Sequence, residues 1–179
     1  MISRRSFSIL SAVLSCAARA KPVQAADGQV TIAASRALLL PRATPDPLTD
    51  QAVAMHIRAL QPGHLLDVVT SNQHVVKPWF DGRIDFAPPV KDLATVGFPL
   101  KAGRLDYVAH RPAAVLVYGK DRHVIDLFVV KGTGATGPGS QDGYNTIGWT
   151  EGDLSFLAVS DVNAADLEAF AREWRQTPG

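Results

Sequence analysis

Apolar and polar residues follow different rhythms in different parts of this chain. Near the C-terminus the rhythm is helical. Leu167, Phe170, Ala171 and Trp174 fall on one face, Asn163 stands at an N-cap position and Asp166 lies close to the positive helix end. This predicts a helix over 164–174. A second helix is predicted over 50–60, with Thr49 as its cap, because Val53, His56, Ile57 and Leu60 recur at helical spacing before Pro62-Gly63 stops the run. His56 on that apolar face reads as a packed, hydrogen-bonded histidine. Between these helices the rhythm is that of strands: 64–70, 103–109, 113–118, 123–130, 144–150 and 154–160. Gly119 to Arg122 and Glu151-Gly152-Asp153 are short enough to be hairpin turns. With connections too short for crossover helices, the expected fold is α+β. It is a single antiparallel meander of about five strands, with an N-terminal and a C-terminal helix packed on it.

The stretch from Ser71 to Leu93 obeys neither rhythm. Trp79, Phe80 and Phe86 must be buried, yet Pro78, Pro88 and Pro89 push their preceding residues out of the helical region. An irregular segment is expected, with a helical turn over 90–95 ended by Gly97-Phe98-Pro99. Its interleaved polar residues make a candidate surface for a ligand or partner: His74, Lys77, Trp79, Phe80, Asp81 and Arg83. The competing expectation is that the aromatics fill the core while the charges are solvated.

Charge changes the picture mainly at the front. Formal net charge is +1, but Arg4, Arg5, Arg19 and Lys21 all precede the first acid, Asp27, and without residues 1–25 the balance falls to −3. That balance gives no support for nucleic-acid binding. Residues 1–25 read as an export signal: paired arginines, a short apolar run over 6–18, and Val23-Gln24-Ala25 as a cleavage site. SRRSFSIL resembles a twin-arginine signal, with an ordinary secretion signal as the alternative, so a periplasmic location is expected. Residues 26–48 read as a proline-stiffened linker. Within it the run over 32–40 is broken by Arg36 and ended by Pro41, so no transmembrane span is expected in the mature chain. The globular domain is expected over 49–176. Cys16 is the only cysteine, which rules out an intrachain disulfide and a metal site built on several cysteines. Leu14-Ser15-Cys16 loosely resembles a lipoprotein box, and lipid anchoring through Cys16 is the alternative location.

Signals of catalysis are weak. Gly132, Gly134 and Gly137 satisfy GxGxxG after a strand. No helical period follows to hold a pyrophosphate, so the loop reads as a flexible connection. The five histidines, His56, His64, His74, His110 and His123, show no HxH, HxxxH or HExxH spacing. No GxSxG or SxxK marks a nucleophile. Neither cofactor nor metal is expected.

HVVKPWFDGRIDFAPPVKDL, then GFPL and GRLDY, then HVIDLFV, the GYN…W run and AVSDVNAADLEAFA, together resemble the extracytoplasmic half of bacterial membrane-spanning anti-sigma factors. The likeness covers roughly residues 50 to 175. It implies a non-enzymatic sensor or binding domain in envelope stress signalling, contacting a membrane signalling protein or a small ligand. The zinc-binding cytoplasmic domain and membrane helix of that family have no counterpart in these residues. The alternative expectation is a small periplasmic metal- or cofactor-dependent enzyme using His74 and its polar neighbours.

Overall fold

The computed structural model describes residues 46–62 and 66–178. The expected export signal, Cys16, the linker up to residue 45 and His64 lie outside the described residues.

Helix α1 spans Pro47–Ala59. It starts before the expected position: Pro47 occupies the first turn, where its fixed φ is already helical and its missing N–H costs nothing. Thr49 therefore lies inside the helix rather than capping it. Strand β1 is only Val68–Val69, and helix α2 runs from Gln73 to Trp79 inside the segment expected to be irregular. Asn72 caps α2 by accepting from the His74 N–H at 2.9 Å. Pro78 sits in the last turn, so its missing donor removes a single intrahelical bond there. The expected helical turn after Val90 is a 3-10 turn at Ala94–Val96, closed by Gly97 in the left-handed conformation. Strands β2 (Leu100–Val108), β3 (Arg111–Lys120), β4 (His123–Lys131), β5 (Gly137–Gln141), β6 (Tyr144–Glu151) and β7 (Leu154–Ser160) follow, then helix α3 (Ala164–Gln176). Asn163 caps α3, its Oδ1 accepting from the Asp166 N–H at 2.9 Å.

The fold is α+β with one antiparallel sheet, as the sequence pattern predicts, but the sheet has seven strands in the order β1-β2-β3-β4-β7-β6-β5. It is not a simple meander. β4 pairs with β7, and β5 lies at the far edge, so the last four strands form a Greek key. The crossing is made by residues 132–136, which run over the sheet face beneath α1. A Cβ on Gly134 would sit 2.7 Å from Leu48 Cδ2, and one on Gly148 would collide with the carbonyl of Ala135. The GxGxxG spacing is therefore a packing device: Gly132 and Gly137 turn the chain with positive φ, and Gly134 lets it pass between α1 and β7. Arg111 clamps the start of the crossing by donating to the carbonyls of Lys131 and Thr133 at 2.6 and 2.7 Å.

Helices cover both faces. On one, Leu48, Ala52 and Val53 of α1 pack on Val108, Val115, Phe128, Val130, Leu157 and Val159. On the other, α2 and α3 bring Val76, Phe80, Leu167, Phe170 and Trp174 onto Leu116, Tyr118, Leu127, Phe156 and Trp149. Burial on both sides explains why β4 reads as a continuous apolar run instead of an alternating one.

The β2–β3 hairpin is closed by Ala109 and His110, with φ of 48° and 62°. Neither residue favours the left-handed region, which costs roughly 1–2 kcal/mol per residue. Two side chains hold the turn: Gln51 Oε1 accepts from the Ala109 N–H, and Tyr107 donates to the His110 carbonyl, both at 2.8 Å. Replacing Ala109-His110 by Asn-Gly is expected to stabilise the fold by about 1–2 kcal/mol. The check is a raised urea midpoint at unchanged slope; a lowered midpoint would show that the native side chains contribute more than the strain costs.

Candidate functional site

The face beneath α1 carries an array of buried charge. Asp126 lies mid-strand in β4, opposite Val117 of β3. Arg104 lies in β2, opposite Val115, and reaches across β3. Its Nη1 and Nη2 donate to Asp126 Oδ1 and Oδ2 at 3.2 and 2.9 Å, a two-pronged pairing, while its Nε donates to Asp106 Oδ2 at 3.0 Å. His56, on the buried stripe of α1 beside Ala52 and Val53, contacts Asp126 Oδ2 through Nδ1 at 2.8 Å. A carboxylate only accepts, so this bond places the proton on Nδ1. His56 and Asp126 are fully buried, and Arg104 is 2% exposed.

Burial by itself would push the Asp126 carboxyl up. The hydrogen bond from His56 and the charge and hydrogen bonds of Arg104 outweigh it and hold the group below the usual carboxylate range. Burial likewise opposes the charged form of Arg104, and Asp126 and Asp106 overcome it, so its affinity for its proton is raised. The other ring nitrogen of His56, Nε2, has no hydrogen-bond partner among the described residues. The Tyr144 ring packs edge-on against His56 with centroids 5.2 Å apart. The His–Asp pairing is the kind that orients a general base, but this imidazole is sealed in the interior.

Next to the array, at the C-terminal end of α1, lies a cavity of about 180 Å³. Its walls are Ala59, Leu60, Leu66, Val117 and Val124, and its polar lining is Lys101, Arg104 and Asp126. The cavity opens to solvent on the side of Lys101, Leu60 and Leu66, which are exposed, while Arg104 and Asp126 form its buried floor.

The residues singled out from sequence are on α2 and the turn after it, against the opposite face of the sheet. They divide into two groups. Phe80 is fully buried, and Trp79 is half-buried with its ring edge-on to Phe80 at 5.1 Å. Arg83 covers the Trp79 ring at 4.6 Å and donates to the Trp79 carbonyl at 2.7 Å. His74, Lys77 and Asp81 are exposed. The aromatics thus serve the core, and none of the six lines the cavity. Among the described residues no group of three or more His, Cys, Asp and Glu side chains converges on a potential metal position. His123 pairs at the surface with Asp161, Nδ1 to Oδ1 at 3.0 Å.

His56, Arg104 and Asp126 were not assembled from the sequence. One signal was available: an aspartate in the middle of HVIDLFVV, a strand buried on both sides, requires a counter-charge. The fold and site define a helix-covered antiparallel α+β domain with a buried ion network beside a small cavity. Comparison with protein-family models, curated proteins and solved structures gave no match. Among the described residues no helix is long and apolar enough to cross a membrane.

Proposed function

We propose that this chain is an exported, non-enzymatic binding domain that acts in envelope stress signalling by holding a small ligand in the cavity below α1. The observation that carries the binding half is the juxtaposition of the apolar cavity with a charge array whose members are already paired. Both Asp126 oxygens and three Arg104 nitrogens are engaged by each other, by His56 or by Asp106. Groups committed to one another hold a wall in place rather than perform proton transfer. The signalling half is supported by the sequence motifs similar to the outer portion of anti-sigma factors, and export by the Arg4-Arg5 segment and its apolar run.

The test is a thermal-shift screen of the full chain against small anions, cations and neutral molecules, run beside an Ala59→Phe variant that fills the cavity. A ligand at a hundred times its Kd stabilises the native state by about 2.7 kcal/mol. At least one compound is expected to raise Tm in the native chain and not in the variant. A screen in which no compound distinguishes the two chains would overturn the reading.

A further inference from the structure

The outer strand of the sheet stops short. β1 is two residues long and pairs with Ala102 and Gly103, while β2 continues to Val108. We propose that the uncovered part of β2, residues 104–108, docks an extended peptide segment of a partner protein, and that this segment carries a lysine or arginine between two apolar residues.

The open groups are on the backbone. The β2–β3 hairpin has a two-residue turn, so Val108 and Arg111 exchange both hydrogen bonds, and Asp106 and Arg104 likewise bond toward β3. The residues between them point their backbone groups outward. Gly103 is paired with Val68, Asp67 Oδ2 accepts from the Leu105 N–H at 2.8 Å, and Gln51 accepts from the Ala109 N–H. The Leu105 C=O and the N–H and C=O of Tyr107 have no partner among the described residues. An acceptor, a donor and an acceptor in a row are what an added strand engages. At about 3.3 Å per residue the slot is roughly 16 Å long, room for about five residues. The far edge of the sheet is blunted instead. There the two-residue turn at Asp142-Gly143 leaves Pro138 of β5 facing outward, and proline has no donor.

Side chains set what the segment carries. On the face under α1 an added strand lies beside Asp106, whose Oδ2 accepts from Arg104 Nε and whose Oδ1 has no partner among the described residues. Asp67 stands exposed at the end of the slot. With Asp126 behind them, three carboxylates meet one guanidinium, that of Arg104, and the balance stays negative even with His56 charged. The other cations point elsewhere. The Lys101 stem crosses Gly119 on the β3 side, and its position in β2 is about 16 Å from Asp106 at about 3.3 Å per residue, beyond a screening length of roughly 8–10 Å. Arg111 reaches the carbonyls of Lys131 and Thr133, and His110 lies in the turn beyond the slot. On the opposite face Leu105 packs on the core, and the Tyr107 ring is 59% exposed, its hydroxyl held by the His110 carbonyl. Successive residues of a strand alternate faces, so a basic residue beside Asp106 puts its two neighbours against Leu105 and Tyr107. A second copy of the chain fits less well, because β2 against β2 brings the same acids together.

The experiment is an NMR titration of the isotope-labelled full chain with three peptides: acetyl-Thr-Val-Lys-Val-Thr-amide, its counterpart with a central glutamate, and the lysine peptide N-methylated at both valines. The lysine peptide is expected to saturate with a Kd below about 1 mM, to move the Tyr107 amide proton downfield and to slow its exchange with water. The glutamate peptide should bind about fivefold more weakly. The N-methylated peptide, which keeps the charge and the side chains, should bind at least about tenfold more weakly. Tyr107→Pro removes the outward N–H at a position where an edge strand tolerates proline, and should abolish binding of the lysine peptide. Asp106→Asn, which keeps an acceptor for Arg104, should remove most of the difference between the lysine and glutamate peptides. The spectra of both variants report whether the fold is kept. No saturation at the stated affinity, equal binding of the N-methylated or the glutamate peptide, or binding unchanged in both variants would each overturn the proposal. So would a chain that dimerises by itself and loses the dimer in Tyr107→Pro, since the edge would then belong to a second copy.

Discussion

An Asp126→Ala variant is expected to lose about 3–5 kcal/mol of folding stability, because it leaves the Arg104 guanidinium buried with half of its partners gone. That is a large part of the total for a domain whose whole stability is on the order of 5–15 kcal/mol. The loss should appear as a lowered denaturation midpoint. Asp126→Asn keeps the shape and two acceptor lone pairs, and should lose less. The isostere also isolates the pH dependence. The folded carboxyl is held below its usual range, mainly because His56 and Arg104 overcome the effect of burial. A depressed pKa means that the stabilisation is fully present above the unfolded value of about 3.9 and is lost as pH falls through the folded value. The stability gap between the native chain and Asp126→Asn should therefore be constant from pH 7 to about 5. Below about pH 4 it should shrink by up to about 1.4 kcal/mol per pH unit. A gap that holds steady down to about pH 2.5 would mean that folding leaves the Asp126 carboxyl titrating as it does in the unfolded chain. A loss under about 1 kcal/mol in Asp126→Ala would place the pair in the weak class of exposed ion pairs.

The same network shows where sequence reasoning reaches and where it stops. The α3 helix was legible because its determinants are local: a cap at Asn163 and an apolar stripe within the next turns. The β7 strand was legible with its ends, since a turn and a helix cap bound it. Strand β5 was not. Its residues, Gly-Pro-Gly-Ser-Gln, have poor intrinsic strand propensity, and they are extended only because β6 offers a ladder and the edge position tolerates Pro138. The pairing of β4 with β7 was not legible either, because no local signal shows that residues 132–136 pass over two strands. The helix at Gln73–Trp79 was obscured by Pro78, whose rule is strict in a helix interior and weak in a last turn. The β2–β3 turn was invisible because Ala-His is not a sequence that favours positive φ. The ion network needed all of these at once. Arg104 and Asp126 meet only through the register of β2, β3 and β4, and His56 joins them only because α1 lies on that face. His56 could be read as a packed histidine, but its partner could not be named. The polar residues interleaved in the aromatic stretch after Ser71 suggest a surface when read from sequence alone. In the fold those aromatics are drawn inward by the sheet, and the polar residues are left separate on the outside.

The second large effect is expected on the opposite face. Trp174 is fully buried, with ring centroids 4.7 Å from Phe156 and 5.6 Å from Trp149. Lys91 lies 3.9 Å from its ring centroid and donates to its backbone carbonyl at 2.9 Å, so the indole also roofs a buried ammonium at the end of α3. Trp174→Ala removes the largest fully buried side chain of the domain and is expected to cost about 3–5 kcal/mol. Trp174→Phe retains a ring for Phe156 and Trp149 to pack against and should cost clearly less, about 1–2 kcal/mol. Urea denaturation of the two variants measures both figures. Tryptophan fluorescence supplies the structural readout, because Trp149 loses its cover in the alanine variant and its emission should shift to longer wavelength. If Trp174→Ala cost no more than Trp174→Phe, the ring would not be anchoring α3. The helix would then be held by Leu167, Phe170 and Ala171 alone, and the stacked aromatics between α3, β6 and β7 would be filler rather than the joint that fixes the helix on the sheet.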